Sequence, residues 1–291
     1  MDWVTGMQRA IDYIEDNLSA DLDFTEIAKR AYVSSFHFQR VFSILCGYTV
    51  GEYIRNRRLT LAATELQKGE FKVIDIALRY GYDTPESFSR AFTRFHGVTP
   101  SASKELGANL KSCSRLSIKV ILEGGTVMDY KIVQKNAFRL ITKYVNVNVT
   151  ENPTFTIPGF WDRCIADGTF NELREYAASD DLLHKAVVGI ADATSFDGTC
   201  YKYFIGSKYD RESAPVEYAI KEIPDCTWAI FRCVGMNKQS IISETFKRIY
   251  SEFFPTSEYK PAELFQLEVY PEGDISHRDY VSEIWISVEK K

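Results

Sequence analysis

Hydrophobic positions in the first hundred residues recur with the 3.6-residue period of a helix. Ala10, Ile11, Ile14 and Leu18 share one face, and Phe24, Ile27 and Ala28 open a second, shorter helix that Asp23 or Thr25 can cap. A third helix is expected over Ser35–Cys46, and a long one over roughly 50–67, stopped by Gly69. The pattern then restarts with Ile74, Ile76 and Ala77. From about Gly107 the periodicity is lost, and GANLKSCSRLS predicts a linker. Beyond it, β-branched and aromatic residues alternate in YKIVQ, AFRLITKYVNVNV, AVVGIA, CYKYFIG, EYAIKEI, TWAIFRCV, LFQLEVY and VSEIWISV, which predict strands. At least two helices interrupt them, over about 169–178 and 238–254; the latter carries an apolar stripe of Ile242, Phe246, Ile249 and Phe253.

The helical half repeats itself. At an offset of 50 residues Phe38 matches Phe88, Arg40 matches Arg90, Phe42 matches Phe92, Gly47 matches Gly97 and Thr49 matches Thr99. Each unit is a short helix, a turn and a second helix opened by a capping residue, Ser34 or Thr84, which is the build of a helix-turn-helix. In the second helix of each unit, Phe38, Val41, Phe42 and Leu45, or Phe88, Ala91, Phe92 and Phe95, form a core stripe. The opposite face carries Phe36, Gln39, Arg40 and Ser43 in one unit and Glu86, Ser89, Arg90 and Thr93 in the other. Arg and Gln make paired hydrogen bonds to guanine and adenine edges in the major groove. A solvated polar face is the plain alternative for any one of these residues; the same phase in both copies favours reading of DNA.

The stretches IAKRAYVSSFHFQRVFSILCGYTVGEYIRNRRL and IDIALRYGYDTPESFSRAFTRFHGVTP resemble the two-unit DNA-binding domain of the AraC/XylS family of bacterial transcription regulators, over residues 24–100. The resemblance implies a rigid connector helix over 50–67 that sets two reading helices in successive major-groove segments, about 34 Å apart. It implies base contacts from Phe36, Gln39 and Arg40 in the first unit and from Pro85, Glu86 and Arg90 in the second. The chain departs from close relatives at Pro85 and Glu86, where amides are usual, so Arg90 carries most of the second unit's expected reading. Arg55, Arg57 and Arg58 cluster on the connector; they either neutralise phosphates or stabilise a solvent-facing helix.

The second half also duplicates: Asp129, Tyr130 and Ile132 match Glu217, Tyr218 and Ile220 at offset 88, and Phe138 and Leu140 match Trp228 and Ile230 at offset 90. The expected architecture is an all-α N-terminal domain (1–111) with two helix-turn-helix units, a linker (112–125), and an α+β C-terminal domain (126–291) of two tandem strand-strand-helix-strand-strand repeats. Residues 126–291, and FQLEVYPEG with SEIWISV in particular, resemble the GyrI-like small-molecule-binding domain. That likeness implies an aromatic effector pocket near a pseudo-twofold axis.

Strand faces point to the same chemistry. Gln266, Glu268 and Tyr270 alternate onto one face of LFQLEVY, and Glu283, Trp285 and Ser287 onto one face of VSEIWISV. An acid beside an aromatic on each of two strands suits an organic cation, through charge pairing and a cation–π attraction of roughly 0.5–2 kcal/mol. An exposed sheet face is the bland alternative. The GyrI-like resemblance makes Glu268 the key acid and Trp285, Tyr270, Tyr203 and Trp161 its walls.

Composition changes the picture only once it is divided. The 291 residues carry a net charge of −5, which argues against a nucleic-acid binder. Residues 1–26, however, hold one Lys/Arg against seven Asp/Glu, residues 27–111 hold 13 against 7, and residues 112–291 hold 21 against 26. The block expected to read DNA is therefore basic, between an acidic first helix and an acidic second half. HExxH, GxSxG, GxxxxGKS and GxGxxG are all absent, so neither a metal nor any other cofactor is expected. The six cysteines form no CxxC, and no apolar run reaches membrane-spanning length, so a cytoplasmic protein with no membrane partner is expected. The leading reading is a transcription regulator, not an enzyme, with promoter DNA, a cationic or lipophilic effector and RNA polymerase as partners. A hydrolytic enzyme or a protein-interaction module are the alternatives for the second half.

Overall fold

The computed structural model describes residues 3–118, 127–150, 153–178, 182–235 and 239–291. They form two compact units, a helical one that holds residues 3–42 and 48–118 and a sheet-based one that holds residues 127–291, with residues 43–47 grouped with the latter.

The helical unit contains α1 (Trp3–Asp16), α2 (Phe24–Arg30), α3 (Ser35–Cys46), α4 (Val50–Lys68), α5 (Val73–Arg79) and α6 (Pro85–His96). Its helix starts are where short polar side chains can satisfy free N–H groups. Asp23 accepts from Thr25 N, Ser34 Oγ from His37 N, and Thr84 Oγ1 from Ser87 N. Thr49 and Glu52 form a reciprocal capping box at the start of α4, and Gly69, at φ +75°, ends that helix in the left-handed conformation. The repeated stripes are the cores of the two helix-turn-helix units: Phe38, Val41 and Phe42 are buried in one, Phe88 and Phe92 in the other. His96 closes the second. With Nε2 at Leu59 O and Nδ1 accepting from Lys111 N, both nitrogens of a neutral ring are used, and burial lowers its pKa.

The segment after α6 departs from the expected linker. Cys113 N donates to Thr60 Oγ1, Leu116 N to Tyr53 Oη and Ile118 N to Gln8 Oε1, while Arg115 pairs with Asp12 at 2.8 Å. Residues 111–118 therefore form a strap across α1 and α4, because donors spaced along an irregular chain meet acceptors that lie far away in sequence. The rest of the expected linker, 119–125, lies outside the described residues.

The second unit is a single antiparallel sheet of eight strands: β1 (Tyr130–Lys135), β2 (Phe138–Asn148), β3 (Val187–Asp192), β4 (Cys200–Lys208), β5 (Ala219–Ile223), β6 (Cys226–Val234), β7 (Tyr259–Tyr270) and β8 (Val281–Lys290). Three helices, α7 (Pro153–Ala166), α8 (Thr169–Tyr176) and α9 (Gln239–Arg248), complete it, and a π-helical turn over Ile249–Phe253 continues α9. The helix expected over 238–254 is thus this composite; position 238 lies outside the described residues. Strand order is β1-β6-β8-β7-β3-β4-β2-β5. Exchanging the first four strands for the last four reverses this order onto itself, so the midline of the sheet runs between β3 and β7.

Only two residues separate β5, at one edge, from β6, near the other. That link reaches at most ~11 Å, whereas six strand spacings in a flat sheet span ~29 Å. The sheet must therefore curl. Its inner face closes on Leu140, Ile190, Phe204, Trp228, Leu267 and Trp285, all buried.

Candidate DNA-reading helices and effector pocket

Helix α6 presents Glu86 and Arg90 to solvent one turn apart, with Ser89 partly exposed between them. The matching helix α3 differs from the expectation. Arg40 and Ser43 are partly exposed, but Phe36 and Gln39 are 4% and 2% exposed, and His37 and Phe38 are buried as well. The Gln39 amide turns back on its own helix, donating to Ser35 Oγ at 3.1 Å.

The connector arginines divide. Arg57 grips Glu15 through Nε and Nη2 (2.8 and 2.7 Å), while its Nη1 donates to Cys113 O. Tyr53 Oη donates to the same Glu15 carboxylate. Arg58 spends Nε and Nη2 on the carbonyls of Leu18 and Ala20, where the chain leaves α1. Both hold α1 against α4, and Arg57 has Nε, Nη1 and Nη2 all engaged within the fold. Arg55 alone is exposed.

In the second unit, Glu268 of β7 stands directly opposite Gly189 of β3, on the midline. Tyr270 Oη donates to Glu268 Oε2 at 2.9 Å and Tyr203 Oη to the same oxygen at 3.4 Å. Trp161 Nε1 donates to Tyr203 Oη at 3.0 Å, and its ring meets that of Tyr270 edge to face at 5.3 Å. The four side chains come from β7, β4 and α7. Burial, reinforced by Glu268 and Tyr203, pushes the Tyr270 phenol well above its ordinary pKa, so it remains a hydrogen-bond donor. The arrangement is a carboxylate held by phenols under an indole wall, chemistry suited to a positively charged, lipophilic group.

Trp285 and Glu283 do not belong to it. Register pairs Leu267 with Trp285, Val269 with Glu283 and Glu268 with Ile284, and cross-strand partners share a face. Trp285 is therefore on the opposite side of the sheet from Glu268. It is 2% exposed and packs edge to face on Trp228 at 5.7 Å, while its Nε1 donates to Glu283 Oε2 at 2.7 Å. The expectation failed because it assumed one buried face, and the curled sheet has two.

Gly189 was not singled out from the sequence, although a glycine inside VVGIAD marks close approach. A Cβ there would lie 2.1 Å from Tyr203 Oη and 3.0 Å from Trp161 Cζ2. Gly189→Ala should therefore displace both rings and lower stability by ~1–3 kcal/mol, the usual cost of overpacking. Chemical denaturation measures the loss, and the quench of Trp161 fluorescence reports the displacement.

Among the described residues no group of three side chains suits a metal ion, and no helix is long and apolar enough to cross a membrane. Burial pushes the thiols of Cys164, Cys226 and Cys233 up to about 11.

The profile of a helix-turn-helix domain matches residues 27–105, and that of the GyrI-like small-molecule-binding domain matches residues 128–289. The transcriptional activator AarP of Providencia stuartii is 44% identical over 89 residues, 31% of this chain and 66% of AarP. The regulatory protein SoxS of Salmonella typhimurium is 40% identical over 95 residues, 33% of this chain and 89% of SoxS. Among solved structures, that of SAV2435 bound to tetraphenylphosphonium covers 56% of this chain and 94% of its own, with a TM-score of 0.50 at 18% identity, and so shows a shared fold. With a tandem helix-turn-helix in front and a two-part curled sheet behind, the chain belongs to the AraC-type DNA-binding transcription regulators that carry a GyrI-like small-molecule-binding domain.

Proposed function

We propose that this regulator binds a lipophilic organic cation at Glu268, Tyr270, Tyr203 and Trp161, and reads two successive major-groove segments with α3 and α6. The observation that carries the effector half is the Glu268 carboxylate set among two phenols and an indole edge. The tetraphenylphosphonium held by the similarly folded SAV2435 supports a cation of that class. On the DNA side the readers are Arg90, Ser89 and Glu86 of α6 and Arg40 and Ser43 of α3, with Phe36 and Gln39 of α3 carried over from the family resemblance. RNA polymerase is the partner through which such a regulator would act on transcription. For an effector to change that action it must favour one DNA-competent state over another, since equal affinity for both shifts nothing.

Two measurements test the reading. Thermal shift against lipophilic cations should give stabilisation that grows with ligand concentration over its dissociation constant; a flat response across the set overturns the effector half. Gel-shift titration over a salt series should show specific binding that weakens as salt rises. Arg90→Ala should cost ~1–3 kcal/mol on the preferred duplex and relax selectivity at one base pair. Equal loss on every sequence would show that Arg90 touches only backbone.

A further inference from the structure

Helix α8 carries an arginine that the fold leaves unpaired. The guanidinium of Arg174 makes no hydrogen bond and no ion pair among the described residues, and its Nε is buried without a partner. It lies over the ring of Phe170, one turn back on the same helix, with Cζ 5.0 Å from the ring centroid. Burying a donor without an acceptor costs stability, and a charged donor costs more than a neutral one. A cation in the last turn of a helix gains from the helix dipole, but an exposed side chain has that gain without losing its water. The orphaned donor points to an acceptor from outside the chain.

Its surroundings tie that acceptor to the Glu268 site. Helix α8 is pinned to the sheet at three points: Lys143 Nζ donates to Thr169 Oγ1 at 2.8 Å, Tyr218 Oη donates to Glu172, and Ser207 Oγ donates to Leu173 O. The Phe170 ring lies 6.3 Å from that of Trp161, the indole that meets Tyr270 at 5.3 Å and donates to Tyr203 Oη. The aromatic wall beside Glu268 thus continues by one ring, Phe170, and ends on the Arg174 charge. A carboxylate stands at one end of this wall and a guanidinium at the other. The Arg174 charge also reaches the Tyr280 hydroxyl, where it opposes the rise that burial imposes on the phenol. Glu272, Asp279 and Glu283 line a cavity at Tyr280, yet none of them pairs with Arg174. Glu283 is taken instead by Lys131 at 3.6 Å and Asp279 by Arg278 at 3.7 Å.

We propose that Arg174 receives a carboxylate of the effector, so that the site selects a lipophilic zwitterion, with its cation at Glu268 and its apolar body along Trp161 and Phe170. Guanidinium donors lie in one plane and match the two oxygens of a carboxylate, and loss of water beside Phe170 strengthens the attraction. The cation end rests on the effector reading proposed above; the anion seat rests on Arg174 and its neighbours.

The test uses the full chain and matched probes, carboxyalkyl-triphenylphosphonium against alkyl-triphenylphosphonium, over a series of chain lengths. At the length that spans the wall, the carboxylate should tighten binding to the wild type roughly tenfold over the plain alkyl probe. Arg174→Met, which keeps an apolar stem against Phe170, should abolish that advantage and bind the alkyl probe as the wild type does. Arg174→Lys should keep part of it, since it restores charge without the planar fork. Without ligand, Arg174→Met should melt at or above the wild-type temperature, because an unpaired buried donor has been removed; an arginine that served only the fold would lower it. Glu268→Gln should weaken both probes alike and preserve their ratio, which separates the two ends of the site. The same ratio of the two probes in wild type and Arg174→Met at every length would overturn the anion seat, as would parallel loss of both probes with a lower melting temperature. If neither probe binds the wild type, the cation reading fails by itself and 6-phenylhexanoate decides the seat. Stabilisation of the wild type but not of Arg174→Met would then sustain it, and an equal response of the two would overturn it.

Discussion

Replacing Glu268 with Gln should weaken binding of tetraphenylphosphonium by ~2–4 kcal/mol, roughly 30- to 1000-fold, the range seen when one partner of a buried charge pair is neutralised. The amide keeps the shape of the carboxylate, and its oxygen can still accept from Tyr270 Oη, so the local packing survives while the charge is lost. Triphenylphosphine oxide, which presents similar rings without a positive charge, separates the two contributions: its affinity should be nearly the same for wild type and variant. Isothermal titration of both compounds decides the matter. Equal affinity of the variant for the cation would mean that the aromatic walls, not the acid, select the ligand.

Arg57→Ala should destabilise the helical unit strongly for a change outside its apolar core. Arg57 and Glu15 are 12% and 5% exposed, and removing the guanidinium strands a carboxylate that also accepts from Tyr53. Loss of one member of a largely buried pair costs ~2–4 kcal/mol here, slightly below the fully buried range, which lowers the melting temperature of this unit by on the order of 10 °C or more. Arg57→Lys should recover part of that, since a lysine restores charge without the two-pronged grip. Acidity supplies an independent check. Burial raises the pKa of Glu15, but the hydrogen bonds from Arg57 and Tyr53 outweigh it and leave the value below its ordinary 4.5. The pair's contribution is therefore present above about pH 4.5 and is lost as pH falls through the lowered value, so wild-type and variant stabilities should converge in acid. A gap that did not narrow at all as pH fell below 4.5 would mean that packing, not charge, is what Arg57 contributes.

Much of the architecture was legible because it is written in short-range patterns. Both helix-turn-helix units and all eight strands follow from period and from capping residues such as Thr49, Thr84 and Gly69, which act within a few positions of themselves. What escaped depends on partners far away in the chain. Arg57 finds Glu15 at a separation of 42 residues, and the Leu18 and Ala20 carbonyls that hold Arg58 carry no sequence signal at all. Helix α7, which begins at Pro153 and carries Pro158 inside it, is not among the expected helices, yet it supplies Trp161. Period two separated the faces of β8 correctly but not which face Glu268 would share; only strand register decides that, and it moved Trp285 and Glu283 to the far side.

The reversal symmetry of the strand order bears on how many ligands a chain can hold. At the midline, β3 and β7 set one residue from each half side by side, and there the halves disagree: one contributes an acid, the other no side chain. Two carboxylates so close would share a proton and hold one of the two neutral, and two glycines would offer no charge. The mismatch gives a single negative site with room beside it for the Tyr203 hydroxyl. On the effector reading proposed above, this divergence between the halves predicts one cation per chain, which the stoichiometry of an isothermal titration checks.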